Sequence, residues 1–313
     1  MSLRTPVIAV FDIGKTNKKV FLWNTAFEIV FEKQQHFAEI QDEDGFACED
    51  LAALQQWIVS TFTELCQMPE FDLIGLNFSA YGASFVYVNG AGDPVAPLYN
   101  YLKPVSKPFP YSEHGGEGEF ARKTASPILG NLNSGLQMYE STFRPFWPEV
   151  FKALHFPNYL ASLFTGKFLS EITSIGCHTA LWDFDLGQYH PWVSAIQDRL
   201  APISTEAFLP IDGINYGLGL HDSSAALVPY LRSISDEFVL LSTGTWSDER
   251  VRCEFGPPAD IGGIAKGNEK VWAYRYYESS VWYSLMYVFM GPNGNLANRH
   301  NPCPDPAYLL NDR

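Results

Sequence analysis

"VFDIGKTNKKVFLWN", residues 10–24, sets an aspartate and a glycine between two apolar runs. Val7–Phe11 and Val20–Trp23 are rich in β-branched and aromatic residues, and the polar residues between them have turn chemistry, which predicts a β-hairpin. Two roles fit such a hairpin. One is a plain surface turn. The other is an anion-binding turn, in which Gly14 allows close backbone approach and Lys15, Thr16, Asn17, Lys18 and Lys19 bring ammonium, hydroxyl and amide donors around it. Val7–Phe11 lacks polar alternation, as in a strand buried on both faces. Asp12 then stands where that strand emerges, placed to hold Mg²⁺ beside a bound phosphate, directly or through water.

The next stretches extend the hairpin into an α/β sheet. Residues 50–66 have helical patterning, and "FDLIGLNFSAYGASFVYV" (71–88) reads as a strand, a polar turn at Asn77–Ser84 and a second strand. In such sheets ligands sit beyond the strand ends, which makes Ser79, Tyr81 and Gly82 candidate contacts. An ordinary loop explains them equally well. Residues 103–130, with "SEHGGEGE", read as a mobile surface excursion. Helix signals return at Pro148–Leu154 and at Tyr159–Phe164, the second stopped by Gly166.

"GLGLHDSSAALVPYL" (217–231) carries a break at Gly217 and Gly219, then Asp222, Ser223 and Ser224 as cap residues for a helix over Ala225–Leu231. Asp222 serves as a helix cap or as a general base; a loop-to-helix junction holds a carboxylate on the rigid backbone such chemistry needs. "EFVLLSTGTWS" (237–247) is a buried-type strand ending in Ser242, Thr243, Gly244 and Thr245, a second hydroxyl-and-glycine turn after an apolar strand. Val281–Met290 suits one buried helix or strand.

Composition narrows the partners. The 313 residues are 46% hydrophobic and 18% charged, with a net charge of −14 and a pI near 4.9. That length accommodates two domains. The acidic balance opposes nucleic acid and anionic membranes, both of which need a basic face. Cys48, Cys66, Cys177, Cys253 and Cys303 form an odd set without close Cys/His spacing, which indicates neither disulfides nor a zinc site and fits a reducing cytoplasm. No signal peptide and no apolar run long enough for a membrane span is visible.

Taken in order, the Asp–Gly–Thr hairpin, "NFSAYGASFVY", "PLYNYLKP", "TASPILGNLNSGLQMY", "FTGKFLSEITSIGCHTALWDFDLGQYHPWV", "GLHDSSAALVPYL" and "LSTGTW" resemble the FGGY carbohydrate kinases of the actin–hexokinase superfamily. They look most like relatives of the fuculose, rhamnulose and xylulose kinases. The resemblance runs from about residue 6 to 247. It implies an α/β fold with an RNase H-like first domain (1–215) and a second domain of the same type (216–313) that is curtailed or unalignable after about 247. It further implies ATP and Mg²⁺ as cofactors and a pentose, deoxyhexose or ketose as substrate. Carried over by position, Asp12 is a Mg²⁺ and phosphate residue, followed by Gly14, Thr16, Asn17 and Lys18. Ser79, Ala80, Tyr81 and Gly82 stand where related kinases touch the sugar. Asp222 matches the base that deprotonates the attacking hydroxyl, at the sugar and metal side. Thr243, Gly244 and Thr245 match the second phosphate motif. The family's glycine-rich adenosine turn has no match in residues 248–313, so an inactive sugar-binding relative is the alternative to an active kinase. A homodimer is left open.

Overall fold

The hairpin forms as the sequence predicts. The computed structural model describes residues 4–126, 128–177, 179–226, 238–243, 247–253 and 283–288. Strands β1 (Thr5–Ile13) and β2 (Lys18–Asn24) pair antiparallel from Val7↔Asn24 to Ile13↔Lys18, and the turn is closed by Gly14 N–H donating to the Asn17 carbonyl at 3.0 Å. The chain continues through β3 (Ile29–Gln35), β4 (Ile40–Gln41), β5 (Ala47–Cys48), α1 (Leu51–Gln67), β6 (Phe71–Ala80) and β7 (Phe85–Val88). Then follow α2 (Gly116–Thr124), α3 (Ser134–Ser141), β8 (Lys152–His155), α4 (Phe156–Thr165), α5 (Ile172–Ile175), β9 (Trp182–Asp183) and β10 (Gln188–Tyr189). Strands β11 (Phe208–Ile211), β12 (Ile214–Gly217) and β13 (Leu220–His221) return to the sheet, and residues 222–226 are helical.

Among the described residues the main sheet runs β11-β12-β6-β1-β2-β3, with β13 also on β6. β1, β12 and β13 all run parallel to β6, and β2 and β3 complete an antiparallel meander. One face is packed by α1 and α4. Asp50 caps α1 by accepting from Ala53 N–H at 3.0 Å, and Leu51, Leu54, Ile58 and Leu65 fall at helical spacing on its buried side. They meet Val7, Ala9, Phe11, Ile13, Val20 and Leu22 from the strands. Phe11 stacks on Phe78 at 5.5 Å and meets Trp57 edge-on. β1 was expected to be covered on both faces. Instead its burial alternates, with Ile8 42% exposed, because among the described residues α1 and α4 pack on the side of Val7, Ala9 and Phe11.

Residues 103–130 are not the loose excursion that their Pro, Gly and Ser content suggested. Phe109 is buried, ringed by Tyr111, Phe120, Tyr139 and Trp192 at 5.0–5.2 Å, and α2 forms within the segment. These aromatics build a second core with β7, β8 and Leu136, Leu181 and Val193. The helix expected over Pro148–Leu154 is replaced by a short 3₁₀ turn at Trp147–Glu149 and by β8, whose Lys152–His155 pairs with Val88–Phe85. The Tyr159–Phe164 helix is present as α4 and ends at Gly166, whose φ of 62° is left-handed.

The chain separates into two units, residues 1–233 and 234–313. The boundary expected at 215/216 falls inside the first sheet, since Leu220 and His221 pair with Ser79 and Ala80. In the second unit β14 (Phe238–Thr243), β15 (Ser247–Cys253) and β16 (Tyr283–Val288) form an antiparallel sheet in the order β14-β15-β16. The apolar run at Val281–Met290 thus contributes a strand. Thr243 ends β14, while Gly244 and Thr245 lie outside the described residues, as does the helix expected beyond 226. Among the described residues no helix is long and apolar enough to cross a membrane.

Gly219 turns the chain into β13 with φ +79°, and a Cβ there would lie 2.1 Å from the Pro157 carbonyl oxygen. Gly213 has a similar φ of +84° with open space around it. Gly213→Ala should therefore cost only the left-handed backbone penalty of about 1–2 kcal/mol. Gly219→Ala adds a backbone clash, and urea unfolding should show at least twice that loss.

Candidate functional site

Three parallel strands end side by side, and their register sets the site. Asp12 on β1 is opposite Ser79 on β6, Ser79 is opposite Leu220 on β13, and Lys19 on β2 faces Asp12 from the other side. Asp222 follows two residues after Leu220, at the start of the helical residues 222–226. The carboxyl ends of parallel strands are where α/β sheets bind ligands, because the chain there turns away and leaves backbone and side-chain groups exposed.

Asp12 and Asp222 sense each other. Burial and the negative charge of Asp222 push the Asp12 carboxyl above its ordinary range, against the pull of Lys19. Tyr101 also faces this charge: burial first and Asp222 second push its phenol up. Asp222 Oδ1 accepts from Ser223 N–H at 2.5 Å and lies 3.4 Å from His221 Nε2. His221 is buried, with Cys177 Sγ at 3.5 Å and Ser224 Oγ at 3.4 Å. Its ring rests on Gly82, where a Cβ would come within 2.4 Å of Cδ2. That glycine is required by the close approach of an imidazole. Gly217 is comparable, its missing Cβ leaving space for the Asn77 amide.

The hairpin residues divide into two groups. Gly14 is half-buried and Thr16 and Asn17 are exposed at the tip of the turn, beside Asp12 in the chain. Lys18 turns inward and is 2% exposed, its Nζ 2.9 Å from the Glu49 carboxylate and 3.1 Å from the Lys15 carbonyl. Its ammonium is committed inside the protein rather than offered to a ligand at the turn. Lys19 is the half-exposed cation opposite Asp12, paired with Glu32 at 3.5 Å. Strand alternation was the available signal: Lys18 shares the inward parity of Val20 and Leu22, whereas Lys19 shares the outward parity of Phe21.

The polar turn expected over Asn77–Ser84 begins only after Ala80, because Asn77–Ala80 continue β6 in register with β1. At that strand end Ser79 is half-buried beside Asp12, but Ala80 lies in the core. Tyr81 is also buried, its hydroxyl donating to Glu49 at 3.4 Å and its ring packed on Phe156 at 4.8 Å. Asp12, Ser79, Gly82 and Asp222 are therefore brought together, while Lys18 and Tyr81 are held behind them. Tyr101, His221 and Glu49 join the surroundings without having been singled out as site residues, whereas Lys19 was expected among the donors of the turn. Thr243 belongs to the second unit.

Among the described residues no group of three or more His, Cys, Asp or Glu is arranged to hold a metal ion. Two carboxylates that repel each other, one of them half-buried, nevertheless suit a hard divalent cation that takes its other ligands from phosphate and water.

No family model matches the sequence, and no curated protein matches it significantly. Solved structures do match. A carbohydrate kinase from Novosphingobium aromaticivorans superposes with a TM-score of 0.66 at 24% identity, covering 78% of this chain and 56% of its own. A ligand-bound xylulose kinase from Lactobacillus acidophilus gives 0.74 at 16% identity, covering 90% and 60%. A Plasmodium falciparum glycerol kinase with ADP gives 0.66 at 14% identity, covering 91% and 61%. The chain has the actin/hexokinase-like α/β fold of these sugar kinases and spans less than two thirds of their length.

Two outcomes follow from these environments. The Asp12 carboxyl is raised above its ordinary 3.8, so the folded state resists ionising it and loses stability as pH rises through the folded value. Below 3.8 both states carry the proton and the penalty is gone. Asp12→Asn should accordingly raise the melting temperature at pH 7, with the gain disappearing towards pH 3. Lys18→Met strands the buried Glu49 and should cost about 3–5 kcal/mol in urea unfolding. Lys19→Met breaks a solvent-exposed pair and should cost less than about 1 kcal/mol.

Proposed function

We propose that this chain is an ATP-dependent carbohydrate kinase of the FGGY type, transferring the γ-phosphoryl group of ATP to a hydroxyl of a pentose, deoxyhexose or ketose. The observation that carries the reading is the alignment of Lys19, Asp12 and Ser79 across neighbouring strand ends, with Asp222 near enough for its charge to raise the Asp12 carboxyl. The sugar-kinase fold supports it.

In this mechanism Asp222 accepts the proton of the attacking sugar hydroxyl. The oxygen so freed bonds to the γ-phosphorus as the bond to the bridging oxygen of ADP breaks. Ser79 and the backbone at Gly82 border the sugar, and His221 holds the Asp222 side chain to one side. The turn at Gly14, Thr16 and Asn17 faces the phosphates, with Lys19 as the nearest cation to Asp12. Asp12, with Asp222, would hold Mg²⁺, which would supply charge neutralisation at the phosphates when bound. Phosphoryl transfer depends on positioning and charge compensation, which these groups supply without covalent participation. Thr243, Gly244 and Thr245 are the proposed second phosphate motif. ADP is named with the glycerol kinase neighbour. A second reading, a sugar-binding protein without transfer, is favoured by one observation: Lys18, expected among the phosphate donors, is sealed against Glu49.

The test is a panel of pentuloses, deoxyhexuloses and aldoses, scored by calorimetry for binding and by coupled ADP release for transfer. Transfer to one sugar, reduced about 10²-fold or more by Asp222→Asn with little change in sugar affinity, is the expected result. Sugar binding without ADP release would leave the binding protein. Absence of binding by every sugar would sink both.

A further inference from the structure

Lys18 and Glu49 form a buried opposite-charge pair next to the hairpin, their side chains 3% and 4% exposed. Lys18 Nζ is 2.9 Å from each oxygen of the Glu49 carboxylate and 3.1 Å from the Lys15 carbonyl. Its hydrogen bonds run to one of those carboxylate oxygens and to the carbonyl. The same carboxylate accepts the Tyr81 hydroxyl at 3.4 Å. Glu49 immediately precedes Asp50, the cap of α1, and bridges through its backbone to Leu98. One buried carboxylate thus ties together the hairpin turn, the start of α1 and the loop after β6.

The other side of that loop meets the reactive carboxylate's neighbour. Gly82 follows Tyr81 and lies against the His221 ring, so closely that a Cβ would be 2.4 Å from Cδ2 and 2.6 Å from Nε2. His221 Nε2 is in turn 3.4 Å from Asp222 Oδ1. The Tyr81–Gly82 segment is wedged between Glu49 and His221, with no slack on the imidazole side. A buried ion pair is a weak source of stability compared with apolar packing, and a role in fixing geometry accounts better for burying this one.

We propose that Lys18, Glu49 and Tyr81 are positioning residues: through Gly82 and His221 they set where Asp222 stands relative to the Asp12 hairpin. They act on the acceptor side of the reaction without touching the ligand. The consequence for transfer rests on the kinase reading above, whereas the consequence for His221 does not.

The test uses the full chain with ¹³C-labelled histidine rings, the His221 signal being assigned from His221→Asn. Tyr81→Phe, which keeps the ring and removes only the hydroxyl, and Glu49→Gln should each shift that signal. The double variant should shift it no further than Glu49→Gln alone, since Tyr81 acts through Glu49. Lys33→Met, which breaks the exposed Lys33–Glu64 pair, should leave it in place. With a sugar that is phosphorylated, Tyr81→Phe and Glu49→Gln should lower kcat about tenfold or more while KM changes less than about threefold. An unmoved His221 signal in Tyr81→Phe and Glu49→Gln, whatever happens to melting temperature, would overturn the proposal and leave the network a structural one. Unchanged kcat in a chain that phosphorylates a sugar would overturn it as well. A shifted His221 signal in a chain that phosphorylates no sugar supports the positioning and counts against the kinase reading alone.

Discussion

The parallel pairing of β1 with β6 is the constraint from which the rest follows. It places Asp12 opposite Ser79, and because β13 also pairs with β6, it delivers His221 and Asp222 to the same edge of the sheet. A shift of one residue in either register would turn Asp12 into the core and Ile13 out of it. The stacked Phe11 and Phe78, one residue before Asp12 and Ser79 on paired strands, hold that register from the opposite face. Core packing and site geometry are consequently set by the same pairing.

Charge is distributed around that edge by depth. Lys18 and Lys19 are adjacent in the chain but opposite in fate, one sealed against Glu49 and one half-exposed across from Asp12. Asp12 is held in a state that burial and Asp222 both disfavour. A carboxylate under such repulsion gains from a cation or from a ligand that brings one, which supports the binding role proposed for Asp12.

Close approach fixes the remaining geometry. Gly82 accepts the His221 ring, Gly217 accepts the Asn77 amide and Gly219 passes beneath the Pro157 carbonyl. Each is a place where any side chain would push a strand end away from the site. The second aromatic core, centred on Phe109, backs β7 and β8 and leaves the site to the first sheet.

The sequence by itself determined the hairpin, a helix over about residues 50–66, a strand beginning at Phe71, the α4 stop at Gly166 and the α/β class, because each depends on local periodicity or on one stop signal. It also marked Asp12, Ser79, Gly82 and Asp222, since they stand at strand or helix ends where the apolar pattern breaks. Strand parity separates Lys18 from Lys19 in the sequence, but tertiary structure alone supplied the partner that seals Lys18, because Glu49 arrives from a separate segment. It likewise decided that Tyr81 points inward, that β13 continues the first sheet past residue 215, and that residues 103–130 pack around Phe109. In each case the deciding partner is distant in the chain, and the free energy of burying an aromatic ring or pairing a buried charge outweighs the local turn propensity that composition records.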